Sequence, residues 1–352
     1  MNRLSDDRIR HLRDLVGQPD LAGTKFELTR KIAVGGMGTV YLAQDLELNR
    51  SVALKVLSVP DPSGALTARM VREAKTVAQL EHPGIVPVHT VGRLPDDRVY
   101  YSMKFVEGET LEEHRRIQDS LSRLLRIFQK VCEAVEFAHS RGVLHRDLKP
   151  SNIMVGPFGE VLVMDWGIAT RWRERSGSAT SDTDPGALPA SGETLPDTAH
   201  GTVLGTPAYM SPEQAQGRID DLDCRTDVYG LGAILYYLLT GNEPYSGVSV
   251  DEILSRVTSG DLRRPRDIVR SIPKRLEAIC LKAMELEPKR RYESAANLAS
   301  DVTLYLDGQP VGAYAESIAE KSARWFSRNQ LIVFVILTYI IVRLVVLFWR
   351  GI

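Results

Sequence analysis

The first third of the chain alternates short apolar and polar runs, a pattern typical of β-strands. Residues 31–45 are rich in β-branched and small residues around a central glycine cluster, and residues 50–59 form a short apolar run. Residues 66–80 instead repeat apolar side chains at helical spacing. The pattern therefore predicts a strand-rich region from about 26 to 104 that contains one helix.

Helical periodicity dominates from about residue 107 to residue 306. The predicted helices cover residues 121–139, 227–239, 250–257, 273–284 and 294–305. Because a strand-rich part precedes a larger helix-rich part, the sequence predicts an α+β fold with two unequal lobes. The smaller lobe is expected at 26–104 and the larger one at 107–306.

Residues 331–349 form a long apolar run that contains one charged residue, Arg343. A helix of this length spans roughly 28 Å, close to the hydrocarbon thickness of a bilayer. The run predicts a single transmembrane helix, with a buried core helix as the alternative. Residues 307–330 then form a juxtamembrane segment whose basic and aromatic residues favour the cytoplasmic side. The predicted location is the cytoplasmic membrane, single-pass, with the bulk of the chain in the cytoplasm.

Two segments have too little apolar content for a core. Residues 1–25 are predicted to be a leader with one short helix at about 6–16. In residues 176–201, 23 of the 26 positions are Ser, Thr, Gly, Pro, Ala, Asp or Glu. That composition predicts a surface loop whose hydroxyl groups are available for modification.

Charge and cysteine content restrict the function classes. The chain has 44 Lys and Arg against 45 Asp and Glu, a net charge of −1, so we expect no nucleic-acid partner. An anionic ligand must be held by a local site. The three cysteines have no paired spacing, which argues against a disulfide framework or a zinc site.

The glycine cluster at 35–38 is weak evidence for a phosphate-binding loop by itself, and two later residues strengthen it. Lys55 lies in an apolar run, where a lysine is costly unless it meets an anion or a carboxylate. Glu73 lies on the predicted helix, which can direct its carboxylate toward that run. The alternatives are an ordinary glycine-rich hairpin and a surface ion pair.

A second set of polar residues is more specific. Asp147, Lys149 and Asn152 lie within one short loop, and Asp165 follows the apolar run 161–164. An aspartate here can accept a hydroxyl proton, a lysine can neutralise a phosphoryl group, and the amide and second carboxylate can hold Mg²⁺. This pattern predicts phosphoryl transfer.

From about 26 to 306 the chain resembles the protein kinases, in particular the Ser/Thr kinases that bacteria share with eukaryotes. The resemblance implies ATP and Mg²⁺, with Mn²⁺ as an alternative, Asp147 as base, Asn152 and Asp165 as metal ligands, and Lys55 paired with Glu73. The residues that it assigns to nucleotide binding are Ile32, Ala33, Val34, Gly35, Gly36, Met37, Gly38, Thr39, Val40, Ala53, Lys55, Met103, Phe105, Val106 and Met154.

The resemblance also covers the segment that closes the activation loop, residues 205–213. It implies a pair between Glu213 and Arg291, and a buried Asp227 that braces the catalytic loop, residues 145–152. Lys149 and Thr206 favour Ser or Thr of proteins as the acceptor.

Regulation is expected from the same resemblance. Arg146 implies control by phosphorylation, for which Thr202 is the predicted autophosphorylation site. A homodimer that phosphorylates itself in trans, in a signalling role, is a further expectation.

Two residues depart from the family pattern. Ala33 replaces the first loop glycine, and Trp166 replaces the phenylalanine beside the metal aspartate. The alternatives are a membrane-tethered pseudokinase scaffold and a small-molecule kinase. The first is disfavoured because every motif residue is present, and the second because such enzymes lack the 205–213 segment.

Overall fold

The computed structural model describes residues 18–59, 61, 63–117, 120–166, 170–171, 206–318, 320–322 and 329–351. The predicted helix at 6–16, the predicted loop at 176–201 and Thr202 lie outside these residues.

The first lobe is built on a five-stranded antiparallel sheet with the order β1-β2-β3-β5-β4. The apolar run around Lys55 forms the middle strand, flanked by β2 and β5, which explains its buried side chains. The strands predicted from the sequence are therefore confirmed. Their bounds are β1 (Phe26–Val34), β2 (Gly38–Asp45), β3 (Arg50–Leu57), β4 (Val88–Arg93) and β5 (Val99–Lys104).

The predicted helix of this lobe is also confirmed as α1 (Ala65–Ala78). Its buried stripe consists of Met70, Glu73, Ala74 and Val77, so three apolar side chains and one carboxylate face the protein interior. The apolar members join the main core, whereas Glu73 requires polar partners there.

The second lobe is mainly helical, as predicted. One helix, α5, is buried over almost its whole length and forms the centre of this lobe. The helices are α2 (Leu111–Arg116), α3 (Leu121–Ser140), α4 (Pro212–Ala215), α5 (Cys224–Thr240), α6 (Val250–Ser259), α7 (Pro265–Ile268), α8 (Lys274–Ala283) and α9 (Ala295–Leu306).

Short strands support the loops between these helices. Strands β6 (Glu109–Thr110), β8 (Ile153–Val155) and β9 (Val161–Val163) form a three-stranded sheet, and β7 (Val143–Leu144) pairs with β10 (Thr170–Arg171). The main core runs from the inner face of the first lobe into the helices, so the two lobes share one apolar interior. A smaller core covers the outer face of the sheet.

Packing continues beyond α9. The buried carboxylate of Asp301 accepts hydrogen bonds from the Tyr292 hydroxyl at 2.8 Å and from the backbone N–H groups of Gly312 and Ala313 at 2.8 and 3.0 Å. Val311 is 4% exposed and belongs to the main core. The chain is therefore fixed to the helical lobe at least as far as residue 313.

The transmembrane helix predicted at 331–349 is not supported. Residues there form α10 (Gln330–Arg350), but within the described part of the chain no helix meets the length and hydropathy needed to cross a membrane. The predicted location of the protein stays a prediction.

Candidate active site

The glycine cluster forms the turn between β1 and β2. The Gly35 N–H donates to the Gly38 carbonyl at 2.8 Å, which closes the turn. A Cβ atom at Gly38 would lie 2.5 Å from the Val56 carbonyl oxygen of β3, whereas one at Gly36 would meet nothing within 4 Å. Gly38 is thus required for the close approach of two strands, and Gly36 leaves open space above the turn.

Six of the residues that the resemblance assigns to nucleotide binding, those it places around the adenine of ATP, lie at the boundary between the lobes. Ala53 of β3 pairs directly with Met103 of β5, and both side chains are buried. Val40 packs against the same core, and Met154 lies on β8 of the helical lobe. Phe105 and Val106 belong to the segment 103–106, whose backbone the resemblance assigns to the purine edge. They follow β5, and Phe105 is partly buried while Val106 is buried.

The remaining predicted nucleotide-binding residues lie along the glycine turn. The β1 residues and the turn itself are largely exposed, while Thr39 is buried at the start of β2. The β1 residue Ala33 pairs with Val40 in the strand register, so its methyl group is accommodated in the hairpin. These residues are Ile32, Ala33, Val34, Gly35, Gly36, Met37 and Thr39.

Lys55 connects the strand lobe to the loop after β9. Its Nζ donates to Glu73 Oε1 at 2.7 Å and to Asp165 Oδ1 at 2.9 Å. Burial opposes the charge on this amine, but the Asp165 and Glu73 carboxylates outweigh that effect and raise the pKa of Lys55. The predicted Lys55–Glu73 pair is confirmed, and the amine is a permanent cation.

The catalytic-loop residues converge on one carboxylate. Lys149 Nζ donates to Asp147 Oδ2 at 2.8 Å, and Asn152 Nδ2 donates to the same oxygen at 3.1 Å and to the Asp147 carbonyl at 2.8 Å. The Thr206 N–H lies 3.4 Å from Asp147 Oδ1. The structure thus brings together Asp147, Lys149, Asn152 and the start of the 206–213 segment.

Asn152 and Asp165 are placed as neighbours by the backbone. The N–H of Met164 donates to the Asn152 carbonyl at 2.8 Å, which ties the end of β9 to the catalytic loop. Since Asn152 Nδ2 already donates to Asp147, its amide oxygen is the atom left to bind a cation. Desolvation in the cleft opposes ionisation of Asp165, but the Lys55 charge outweighs it and lowers the pKa of Asp165.

This donor set fits a hard cation only if a ligand completes it. Among the described residues, no group of three or more His, Cys, Asp or Glu is arranged to hold a metal ion. Two protein oxygens plus phosphate oxygens and water match the coordination of Mg²⁺. The site therefore fits a metal that arrives with a phosphate compound.

The buried side chain of Asp227 supports the catalytic loop. Asp227 Oδ2 accepts from the His145 N–H at 2.8 Å, and Oδ1 accepts from the Arg146 N–H at 2.8 Å. Nε2 of His139 lies 2.7 Å from Oδ2. Although burial opposes ionisation, these partners lower the pKa of Asp227. The expected bracing by Asp227 is confirmed, and the additional contact from His139 was not predicted.

Two residues of this region have left-handed backbones, Arg146 with φ 67° and Asp165 with φ 58°. Non-glycine residues rarely adopt this conformation, which costs about 1 kcal/mol or more per residue. Asp227 holds the first through its N–H, and Lys55 holds the second through its carboxylate. The loops are therefore kept in position by contacts made elsewhere in the fold.

Trp166 is 1% exposed and stacks at a tilt on His145, with ring centroids 4.5 Å apart. Its Nε1 donates to the Val163 carbonyl at 3.4 Å, so the additional N–H of the indole has a partner. The larger ring is thus accommodated beside Asp165 in the core.

The segment after Thr206 is fastened to the helical lobe. Arg291 donates to Glu213 through Nη1 at 2.7 Å and Nη2 at 2.8 Å, which confirms the predicted pair. The neighbouring Gln214 donates to the Arg146 carbonyl at 2.8 Å, a contact that the sequence did not indicate. This segment therefore supports the catalytic loop directly.

Comparison with known proteins gives the same assignment as this geometry. The family model of the protein kinase domain matches residues 26–302, most of the chain. The chain belongs to the protein kinase family. Members of this family use ATP and a divalent metal, in agreement with the donor set at Asn152 and Asp165.

Several curated relatives of this protein kinase carry the name serine/threonine-protein kinase PknD. The relative from Chlamydia caviae is 39% identical over 81% of this chain, and the one from Chlamydia pneumoniae is 35% identical over 86%. The relative from Protochlamydia amoebophila is 35% identical over 81% of the chain. The matched regions cover only 32%, 33% and 30% of those proteins, so the chain spans about a third of their length.

Proposed function

We propose that this chain is a serine/threonine protein kinase that transfers the γ-phosphoryl group of ATP to hydroxyl groups of proteins. The observation that carries the proposal is the set of contacts around Asp147: one carboxylate oxygen meets Lys149, and the other faces the N–H of Thr206. The name of the curated relatives supports the same activity.

The residues have separate tasks in this reaction. Lys55 and the glycine turn hold the phosphates of ATP, and Glu73 keeps Lys55 in place. Asp147 orients the incoming hydroxyl group and takes its proton, while Lys149 neutralises charge on the group in transfer. Most of the acceleration comes from positioning and electrostatics, because phosphoryl transfer needs little covalent help from the protein.

Asn152 and Asp165 would hold Mg²⁺, which when bound spreads the negative charge of the phosphates. Since Lys55 and Asp165 are already in contact, the cation-binding carboxylate is kept ionised and close to the phosphate-binding amine before a nucleotide enters.

A labelled-ATP assay on a generic protein acceptor tests the activity. Asp147→Asn and Lys55→Met are each expected to abolish transfer, because they remove the base and the phosphate-binding cation. Lys104→Met is the matched control, since Lys104 lies on the adjacent strand of the same sheet but is exposed. It should transfer phosphate as the wild type does.

Other outcomes would point to other functions. Full activity in either Asp147→Asn or Lys55→Met would contradict the assigned roles. Nucleotide binding without any transfer would indicate a binding scaffold, and transfer to aminoglycosides or choline instead of proteins would indicate a small-molecule kinase.

We also propose that the kinase autophosphorylates Thr202. Arg146 supports this, because its buried Nε has no hydrogen-bond partner among the residues that the structure describes, and burial lowers the pKa of its guanidinium, so an anion would stabilise it. Thr202 stands four residues before Thr206, whose N–H contacts Asp147. Four residues span at most about 14 Å, so a phosphate on Thr202 stays near the catalytic loop.

Mass spectrometry of ATP-treated protein tests this site. We expect phosphate on Thr202 and reduced activity in Thr202→Ala, with Thr198→Ala as the control from the same stretch. An unmodified Thr202 in a fully active enzyme would contradict the proposal. Mixing active chains with tagged Asp147→Asn chains tests the expected phosphorylation in trans, because only transfer between copies can label the inactive one.

A further inference from the structure

Tyr101 makes a contact that motif matching does not predict. It lies on β5 directly opposite Lys55 in the β3–β5 register, and its ring is 3% exposed. Its hydroxyl donates to Glu73 Oε1 at 2.8 Å, the same oxygen that accepts from Lys55 at 2.7 Å. One carboxylate oxygen on α1 is therefore held by two neighbouring residues of the sheet.

We propose that Tyr101 is a positioning residue for phosphoryl transfer: its hydroxyl holds the Glu73 carboxylate beside Lys55, so that Lys55 is presented to the nucleotide. This inference rests on the proposed function, because it assigns a task within the same site.

The remaining contacts of Glu73 show why a second donor matters. Glu73 Oε2 is buried and has no hydrogen-bond partner among the described residues, so the carboxylate is oriented through Oε1 alone. When phosphates attract Lys55, the contact between Lys55 and Glu73 competes with the ligand. Tyr101 is not drawn away in this manner, since its neutral hydroxyl donates to Glu73 and carries no charge that phosphates would attract.

The hydroxyl group of Tyr101 is a dependable donor. Burial raises the pKa of Tyr101 well above the usual value for tyrosine, so it stays protonated throughout the pH range of the enzyme. A hydrogen bond to a charged carboxylate is also stronger than one between neutral groups. Tyr101 thus holds Glu73 whether or not Lys55 is engaged elsewhere.

The simpler reading is a core tyrosine whose hydroxyl merely satisfies a buried acid. The neighbouring Tyr100 separates the two readings, because it points to the opposite face of the sheet. It belongs to the outer core and packs edge-to-face on Phe26, with ring centroids 5.9 Å apart. Tyr100→Phe therefore removes the same atom from the same strand, away from the site.

A double-mutant cycle tests the proposal in the full chain. Tyr101→Phe, Glu73→Gln and the double variant are compared by kcat/KM for ATP, with Tyr100→Phe as the control. We expect Tyr101→Phe to lower kcat/KM about tenfold, the size of one lost charge-assisted hydrogen bond. In the Glu73→Gln background the same change should cost less than about twofold, because the oriented carboxylate is already absent.

Two results would overturn the positioning role. The first is a Tyr101→Phe enzyme as active as Tyr100→Phe. The second is an equal loss with and without Glu73→Gln, which would mean that Tyr101 acts only through general packing. Urea unfolding of each variant shows whether lost folded protein explains the change, and only activity per folded molecule is compared.

Failure of the proposed function is distinguishable from failure of this inference. If the wild type transfers no phosphate, the function is wrong, and the cycle is measured instead on the dissociation constant for magnesium ATP. The same non-additive pattern in binding would then support the positioning of Lys55, and an additive pattern would refute it. A chain that binds no ATP at all would refute both.

Discussion

Glu213 and Arg291 form a two-pronged ion pair in which both side chains are almost completely withdrawn from solvent, at 1% and 0% exposure. Arg291 also donates to the carbonyl groups of Arg225, Glu285 and Leu286, and Thr226 donates to Glu213. The pair thus joins the 206–213 segment, the start of α5 and the loop before α9 at one point.

Breaking this pair is expected to destabilise the fold strongly. Glu213→Gln removes the charge but keeps the shape, which leaves Arg291 buried without its counter-ion. We expect a loss of about 3–5 kcal/mol in the free energy of unfolding, measured by urea denaturation. Glu287→Gln breaks the exposed pair with Arg290 and should change the stability by less than about 1 kcal/mol. Equal effects of the two variants would contradict this account.

The same pair predicts a dependence of stability on acid. Although burial opposes its ionisation, the hydrogen bonds from Arg291 lower the pKa of Glu213. A carboxylate with a lowered folded-state pKa contributes fully above the unfolded value of about 4.3 and loses that contribution as the pH falls through the folded pKa. The difference in urea midpoint between wild type and Glu213→Gln should therefore be constant from pH 7 to pH 5 and shrink below about pH 4. A difference that grew in acid would have the wrong sign.

The glycine turn offers a test of which glycine the fold requires. Gly38→Ala places a methyl group 2.5 Å from the Val56 carbonyl oxygen, so β2 and β3 must separate. We expect a loss of about 1–3 kcal/mol in stability, seen as a lower melting temperature. Gly36→Ala meets no atom within 4 Å and should melt like the wild type. If both variants had the same melting temperature, the close approach of β2 and β3 would not explain why glycine is required at position 38.

Replacing the Asp227 carboxylate by the amide of asparagine is expected to impair both stability and activity. Its two carboxylate oxygens accept from the backbone N–H groups of His145 and Arg146, so an Asn side chain would point its NH₂ group at one of these donors. We expect Asp227→Asn to lose about 3 kcal/mol of stability and most of the activity.

The control for that variant lies on the same helix. Asp223 caps α5 by accepting from the Arg225 N–H, a task that Asn performs equally well, so Asp223→Asn should keep both stability and activity. Urea denaturation and the labelled-ATP assay check both variants. An active, stable Asp227→Asn would show that the catalytic loop does not depend on this support.

The sequence predicted those parts of the site whose residue types are dictated by chemistry. A lysine in an apolar strand and a carboxylate on the next helix indicate an ion pair, and Lys55 and Glu73 form one. The short polar loop at Asp147 likewise had to converge, because three chemically complementary side chains lie within six residues.

Other contacts depend on tertiary geometry that the sequence does not encode locally. Tyr101 and His139 both lie on apolar, regular elements, where an aromatic or imidazole side chain is typical of an ordinary core residue. Their roles follow from strand register and helix packing, which bring them to Glu73 and Asp227 over long separations in the chain. The transmembrane helix predicted from the apolar run at 331–349 has no support among the described residues.

Asp301 holds the chain that follows α9 in a fixed position on the helical lobe. It accepts hydrogen bonds from the backbone at residues 312 and 313, and the contacts of Arg275 with Glu316 and of Lys274 with Glu320 continue this attachment to the helical lobe. The part of the chain after residue 320 therefore starts from one constant place on the kinase. The distance that this later part can extend toward the cleft depends on the length and stiffness of the linker. Lengthening or shortening the chain beyond residue 320 would change that distance and leave the catalytic residues as they are.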